Sequence, residues 1–282
     1  SWIKGEKMLI GNESLNEMVS LSNLSVGKPF SQKKLDELLL SIESKYSQSG
    51  FYNIVISEII SIDSQNRAGI ELNIQQGERV KIDKFRISGA DMISEDTLLK
   101  LFKIGEADMA LFNLFTNKDL FTEADFSQGI DLMTNKYFDT GYLDFKINDI
   151  KTELNETKEK ISIEIYISEG IQYQLGKVSF SGETSVLTDN ELNRTISMKE
   201  GDVFNRNTVI QDIQTMTDMF ADKGYAFVDI KPNTSEFLNV VNINFDISLN
   251  KKVYINRITI SGNTRTQDEV VRREIGISEG GL

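Results

Sequence analysis

A pair of spacings repeated along the chain constrains its fold more than any other feature. In three copies, a glycine followed by an aromatic residue lies 20 residues after a phenylalanine. The glycines are Gly50, Gly141 and Gly224, and the phenylalanines are Phe30, Phe121 and Phe204. A second spacing, of 12 residues, leads from Gly77, Gly170 and Asn250 to the glycine of a Ser-Gly pair, at Gly89, Gly182 and Gly262. Spacings held in three copies predict tandem structural repeats.

Each 20-residue block predicts one capped helix. Ser31, Thr122 and Asn205 follow the three phenylalanines, and these residue types are good N-caps because their side chains accept a hydrogen bond from the first helical turn. An apolar residue lies four positions beyond each cap, which is the spacing of a hydrophobic staple. The glycine at the other end suits the left-handed conformation that closes a helix.

Alternating apolar and polar residues predict strands around these helices. The runs centred on Leu72, Ile163 and Phe245 alternate with period two, which is typical of a sheet with one buried face. The runs that lead to the Ser-Gly pairs also alternate, but they slip by one residue at the same place in each copy. That slip predicts a β-bulge in the first strand of each repeat.

Each repeat is therefore predicted to run strand, helix, helix, strand, strand. The shorter first helix is marked by capping boxes such as Thr188-x-x-Glu191. The predicted fold class is α+β, with two helices packed on a three-stranded mixed sheet in each of several tandem domains. We expect domains at 1–79, 80–171 and 172–250, and a partial domain at 251–282. Because a strand and one helix cannot bury a core, we expect the chain to be a fragment of a longer protein.

The missing residue types exclude several function classes. The chain has no Cys and no His, which excludes thiol nucleophiles, histidine bases and zinc sites built on these ligands. Net charge is −12 with acids and bases interspersed, so we expect no nucleic acid partner, because phosphate binding needs clustered Lys and Arg. Carboxylate pairs such as Asp149 and Glu153 imitate a glycosidase acid and base. Acidic residues are spread evenly, however, and we expect no enzymatic activity and no cofactor.

These features together resemble the POTRA domain of BamA-type outer-membrane protein assembly factors. The resemblance covers essentially all 282 residues. Its most specific stretch is 253–274, VYINRITISGNTRTQDEVVRRE, which resembles the opening of the last POTRA domain before a membrane barrel. By that match the complete repeats are the second, third and fourth of five. The longer second repeat, with a loop inserted at about 106–117, is similar to the third domain of that family.

The resemblance implies a periplasmic binding scaffold tethered to the outer membrane by its own C-terminal β-barrel, which is absent from this chain. It implies unfolded outer-membrane proteins as clients, bound by β-augmentation, in which an extended peptide joins a sheet edge. The family fold places the strand after the second helix at an edge, and in the second repeat we expect that strand at 142–150. The predicted client-binding residues are Asp144, Phe145, Lys146, Ile147 and Asn148. The alternative is an ordinary edge whose charges only prevent unwanted pairing.

Two further contact sites are predicted outside the edge strand. The loop inserted in the second repeat is the most apolar loop of the chain, and it is either a contact surface for a partner or the membrane interface, or it folds back onto its own helices. Its apolar residues are Met109, Leu111, Phe112, Leu114 and Phe115. In the partial repeat, the resemblance implies docking of accessory lipoproteins through Arg272 and Glu279, which are otherwise ordinary solvated helix charges.

Other POTRA-bearing proteins are the main alternatives. TamA-type factors and two-partner secretion transporters resemble this unit but carry fewer copies, and cell-division proteins of the FtsQ type carry one. A structural or adhesive repeat array would use similar domains without a barrel downstream. Three consecutive repeats and part of a fourth favour the BamA-type arrangement.

Overall fold

A computed structural model describes residues 2–5, 12–22, 24, 28–102, 120–254, 256–262 and 267–275 of the chain. The chain divides into two compact units, residues 1–134 with 146–169 and residues 135–145 with 170–282. The first two sheets belong to the first unit and the third sheet belongs to the second. The division into domains at 1–79, 80–171, 172–250 and 251–282 stays a prediction.

The described elements follow the predicted order of strand, helix, helix, strand, strand three times. The first repeat has β1 (Trp2–Gly5), α1 (Asn12–Leu21), α2 (Gln32–Gln48), β2 (Val55–Ile62) and β3 (Ala68–Gln75). The second has β4 (Lys81–Ser88), α3 (Glu95–Leu99), α4 (Glu123–Asp139), β5 (Lys146–Leu154) and β6 (Lys160–Ser168). The third has β7 (Gln174–Gly182), α5 (Asp189–Arg194), α6 (Arg206–Asp222), β8 (Val228–Phe237) and β9 (Val240–Leu249), and α7 (Asp268–Ile275) follows it.

In each repeat the last strand lies at the centre of the sheet. The strand orders are β1-β3-β2, β4-β6-β5 and β7-β9-β8. The first strand of a repeat pairs with the central strand in parallel, and the second strand pairs with it antiparallel. These mixed three-stranded sheets with their accompanying helices confirm the predicted α+β fold class.

Apolar side chains of the longer helix and the central strand form the core of a repeat. In the first repeat, Leu35 and Ile42 of α2 belong to one buried cluster with Leu72 of β3. In the third repeat, Phe220 of α6 belongs to a buried cluster with Phe245 of β9. The period-two residues of the central strands therefore face the helices, and each fully buried side chain of this size stabilises the fold by about 1.5–3 kcal/mol.

The predicted helix signals are present in the described residues. The Asn205 side chain accepts a hydrogen bond from the backbone N–H of Thr208 at 2.9 Å. Thr188 and Glu191 form the predicted capping box at the start of α5. Ser31 takes the N-cap position of α2 without a side-chain hydrogen bond to the helix. Gly50 has a φ of +87°, and a Cβ there would overlap the carbonyl group of Phe121, so the helix end requires glycine.

Register shifts confirm the predicted bulges in two opening strands, between Ile82 and Lys84 in β4 and between Leu175 and Val178 in β7. The prediction that a strand opens the fourth repeat is wrong. Among the described residues of that stretch, 251–254 and 256–262 form no strand. In the complete repeats an opening strand pairs only with the last strand of its own repeat. No such partner strand for the fourth stretch lies among the described residues.

Candidate functional site

The second strand of each repeat forms one edge of its sheet. Within the part of the chain that the structure describes, β2, β5 and β8 each pair with the central strand on one side only. We call them the edge strands. Because an antiparallel edge strand turns every second N–H and C=O group away from its partner, each of these strands offers unpaired main-chain groups to a further strand. How well each edge is protected depends on its side chains and its regularity.

The β2 edge has little protection. Its register with β3 is continuous from Val55 to Ile62, and Glu58 is its single charged residue. Val55, Ile59 and Ile62 expose 54%, 59% and 71% of their surface. A long, regular strand with exposed aliphatic side chains and few charges is an open template for pairing.

The β5 edge is protected by charge and by an irregular backbone. Its nine residues include four charged ones, Lys146, Asp149, Lys151 and Glu153. The register with β6 shifts between Ile147 and Asp149, so Asn148 is an extra residue in the strand. Bulges and charges are two of the features by which natural sheets limit pairing at an edge.

The β8 edge is interrupted by a proline. Pro232 lies opposite Phe245 in the middle of the strand. Because proline is tolerated in a sheet only where its nitrogen faces away from the partner strand, Pro232 removes one donor from the free edge. Asp229 and Lys231 beside it form an exposed ion pair at 3.1 Å. A strand added to β8 would therefore lose a main-chain hydrogen bond at the centre of the edge.

Comparison with known families accounts for this repeated architecture. The POTRA family model, described as "Surface antigen variable number repeat", matches residues 3–77, 80–170, 173–248 and 253–282. The chain belongs to the POTRA family. Three of the matched segments contain the three complete repeats described above, and the fourth is a shorter segment that includes α7.

Two curated relatives carry the same name. The chain is 29% identical over 275 residues to the outer membrane protein assembly factor BamA of Neisseria meningitidis serogroup B, a match that covers 97% of this chain and 34% of that protein. It is 26% identical over 274 residues to the outer membrane protein assembly factor BamA of Nitratidesulfovibrio vulgaris, covering 95% of this chain and 34% of that protein. The chain therefore spans about a third of the length of these relatives.

A solved structure of the POTRA domains 3–5 of Haemophilus influenzae BamA is also similar to this chain. The two share 15% sequence identity and a TM-score of 0.48, and the match covers 87% of this chain and 94% of the other.

The predicted edge strand of the second POTRA repeat begins later than expected. The sequence placed it at 142–150, whereas β5 runs from Lys146 to Leu154. Residues before Lys146 form a turn, in which the N–H of Tyr142 donates to the carbonyl of Tyr137 at 2.9 Å. Lys146, Ile147 and Asn148 lie on β5, but Asp144 and Phe145 precede it, and their assignment to the strand is wrong.

The two residues outside the strand have structural contacts instead. Phe145 is only 6% exposed, and its ring stacks on that of Tyr137 with the centroids 4.1 Å apart. The carboxylate of Asp144 accepts a hydrogen bond from the hydroxyl of Tyr173 at 2.9 Å. The alternating pattern of the sequence could not separate this turn from the strand, because apolar and polar residues also alternate through it.

The Tyr173 hydroxyl lies between two carboxylates. Its oxygen is 2.9 Å from Asp144 and 3.5 Å from Glu236. The hydrogen bond to Asp144, followed by burial and the negative charges of both carboxylates, raises the pKa of Tyr173 to about 12. The phenol therefore stays protonated at neutral pH and donates to Asp144.

The remaining predicted contact residues are only partly described. Met109, Leu111, Phe112, Leu114 and Phe115 lie outside the described residues, as does Glu279. Arg272 lies on α7, half-buried, and its guanidinium donates to the carbonyl of Ile258 at 2.6 Å. That contact ties the helix to the preceding segment and leaves the docking assignment of Arg272 a prediction.

Neither a metal cluster nor a membrane span is found in the described ranges. No group of three or more His, Cys, Asp or Glu side chains there is placed to hold a metal ion. No described helix is long and apolar enough to cross a membrane.

Proposed function

We propose that this chain is part of the periplasmic arm of an outer-membrane protein assembly factor and that it works as a binding scaffold, without catalysis. One observation carries the proposal: each complete repeat has its second strand at a sheet edge, in a chain that resembles BamA proteins over nearly its whole length. In this proposal the remainder of the protein includes a β-barrel in the outer membrane, as the relatives' length allows.

The proposed mechanism is β-augmentation of an unfolded outer-membrane protein. A client segment in extended conformation pairs with the free N–H and C=O groups of an edge strand, and this main-chain pairing tolerates many client sequences. On β5 the client would pair beside Lys146, Ile147 and Asn148. The bulge at Asn148 limits the length of a regular ladder there, so β2, with its continuous register, is the stronger binding edge.

The other proposed contacts are with accessory lipoproteins. Arg272 and Glu279 would meet a lipoprotein through charge pairs at the rim of an interface, where charges set orientation and association rate more than affinity. Met109, Leu111, Phe112, Leu114 and Phe115 form a second proposed contact surface in the second repeat. Both sites are proposed from the resemblance to BamA-type proteins.

A peptide titration tests the client-binding proposal. A synthetic peptide that copies one strand of an outer-membrane barrel is added to isotopically labelled chain, and amide NMR shifts are followed along the edge strands. We expect shifts along β2 first and along β5 at higher peptide concentration. A matched control peptide of the same length carries two prolines, which remove main-chain donors without changing the overall polarity.

The outcome distinguishes edge pairing from other binding. Shifts confined to β2, β5 and their central strands, with none for the proline peptide, support the proposal. Equal shifts with both peptides, or shifts confined to the helices, would show that side chains away from the edges bind the client.

A further inference from the structure

The same backbone contact joins each POTRA repeat to the residues that follow it. In the first repeat, the carbonyl of Gly50 accepts a hydrogen bond from the N–H of Val80 at 2.8 Å. In the second, the carbonyl of Gly141 accepts one from Tyr173 at 2.8 Å, and in the third, the carbonyl of Gly224 accepts one from Val253 at 2.9 Å. We call these contacts the first, second and third joints. In the first joint, the carbonyl of Val80 also accepts a hydrogen bond from the backbone N–H of Phe121 at 3.1 Å.

A cation covers the aromatic residue of the first and third joints. The Arg79 guanidinium lies 5.3 Å from the centre of the Phe51 ring, and the Lys252 amine lies 5.3 Å from the centre of the Tyr225 ring. Each aromatic residue directly follows the joint glycine, and each cation directly precedes the first residue of the next repeat. The third joint thus shares with the first both the backbone hydrogen bond and the cation over the aromatic ring.

In the first two joints, the residue three positions after the glycine contacts the next repeat. Asn53 donates from its side chain to the carbonyl of Thr157 at 2.9 Å, in the turn between β5 and β6. Asp144 accepts from Tyr173, whose hydroxyl also lies 3.5 Å from Glu236, close to the turn between β8 and β9. In the first joint this position contacts the hairpin of the following repeat's last two strands directly. In the second joint it contacts Tyr173, whose hydroxyl lies near that hairpin.

The corresponding position of the third joint is Phe227. Its side chain is 66% exposed, although it is a large aromatic residue. Its carbonyl accepts a hydrogen bond from the Asn250 side chain, which fixes the backbone of Phe227 beside the joint. The family match at residues 253–282 is shorter than the matches to the three complete repeats, and its described residues include no hairpin equivalent to the one that Asn53 contacts in the first joint.

We propose that Phe227 is the docking residue for the hairpin of the following POTRA repeat. The partner is the turn between the last two strands of that repeat, and it presents an apolar side chain, because a phenylalanine ring offers no hydrogen bond to a polar one. The third joint is thus closed by apolar packing where the first two are closed by polar contacts. This inference rests on the joint geometry and does not depend on client binding.

A fluorescence comparison tests the docking directly. Phe227→Trp is made in the present chain and in a version that continues through a complete fourth repeat. The indole emission is expected to shift to shorter wavelength only in the longer protein, because burial removes the ring from water. The substitution Ile210→Trp, at an exposed site on α6, is the matched control, and its emission should be the same in both lengths. Equal emission of the Phe227→Trp proteins would overturn the proposal.

Hydrogen exchange gives an independent readout in the longer protein. Phe227→Asn is expected to speed exchange of the Val253 amide by about tenfold, because the lost apolar contact loosens the third joint, while the Val80 amide of the first joint is unchanged. Because Phe227 is exposed in this structure, Phe227→Asn should leave the fold of the third repeat intact. An unchanged melting temperature of Phe227→Asn in the present chain checks this. Unchanged exchange at Val253 would show that Phe227 does not close the joint.

Discussion

The β2 and β8 edges occupy the same position in their repeats, yet their chemistry differs. β2 offers a continuous ladder with exposed Ile59 and Ile62, whereas β8 carries Pro232 at its centre and an ion pair beside it. The two sheets have the same strand order. Topology therefore creates the edge, and the local sequence decides whether a further strand can pair with it.

The hairpins next to these edges differ as well. The β2–β3 turn is held within itself: the Asp63 carboxylate accepts from the backbone N–H of Arg67 at 2.9 Å and from its guanidinium at 2.7 Å. The β8–β9 hairpin lies against the second joint, where Glu236 approaches Tyr173. The β2 strand therefore ends in a turn held by its own side chains, whereas the β8 strand ends near a turn that contacts Tyr173 of the second joint.

The largest expected effect comes from charging the open edge. Ile59→Lys with Ile62→Lys should weaken binding of an outer-membrane strand peptide by about tenfold to a hundredfold, because it removes apolar contacts and adds like charges along β2. Calorimetric titration measures the affinity. Ile210→Lys, at an exposed position on the helix α6, should leave the affinity unchanged. Undiminished binding by the double variant would place the client on another surface.

Opening the interrupted edge should have the next largest effect. Pro232→Thr restores a main-chain donor at the centre of β8, and one added hydrogen bond of about 1 kcal/mol corresponds to about fivefold tighter peptide binding. The same titration measures it, with Asn233→Thr as the matched substitution on the same strand. If Pro232→Thr binds no better than Asn233→Thr, the proline is not what closes this edge.

A smaller effect is expected at the β8–β9 hairpin. Tyr173→Phe removes the hydroxyl between Asp144 and Glu236 and should lower the melting temperature. The pKa of Tyr173 is raised to about 12 in the folded protein, so the hydrogen bond of its protonated hydroxyl contributes fully to stability below the unfolded pKa of about 10. This contribution is lost as the pH rises from about 10 to about 12. The difference in melting temperature should therefore disappear over that range. Tyr254→Phe, at an exposed tyrosine, should show no such difference at any pH.

The smallest effect is expected at the β2–β3 turn. Hydrogen bonds from the Arg67 backbone and side chain, then from Gln65, lower the pKa of Asp63. Its stabilising contribution is thus present above the carboxyl's unfolded pKa of about 4 and is lost as the pH falls below it. Asp63→Asn should speed hydrogen exchange of the Arg67 amide at neutral pH and leave the melting temperature nearly unchanged. In acid, the Arg67 amide should exchange at the same rate in the variant and in the unmodified chain. A pH-independent difference would point to the shape of the side chain rather than to its charge.

The sequence predicted those features that depend on nearby residues. The cap at Asn205, the box at Thr188 and the bulges in β4 and β7 are each set by a few neighbouring positions, and they are confirmed. The strand expected from Val253 is wrong, because a strand needs a distant partner that local alternation does not supply. Contacts across repeats, such as that of Asp144 with Tyr173, were beyond prediction for the same reason.

The openness of β2 was missed although its signal was present. The run VISEIISI has one charge and no glycine or proline, which indicates an unprotected strand, but the periodicity alone did not show that it lies at an edge. The family fold places the strand after the second helix at an edge, so the same prediction was available for β2 as for β5. The strand orders show that β2, β5 and β8 are equivalent edges.

The central position of the last strand has a consequence for biosynthesis. Trp2 in β1 pairs with Glu71 in β3, so neither outer strand of the first sheet has a partner until nearly the whole repeat has been made. Pairings this distant along the chain form slowly. While a repeat is being synthesised, its helices precede the strand that they will cover, and their apolar faces stay exposed until that strand is made. Each repeat can therefore complete its core only after its last strand has been made.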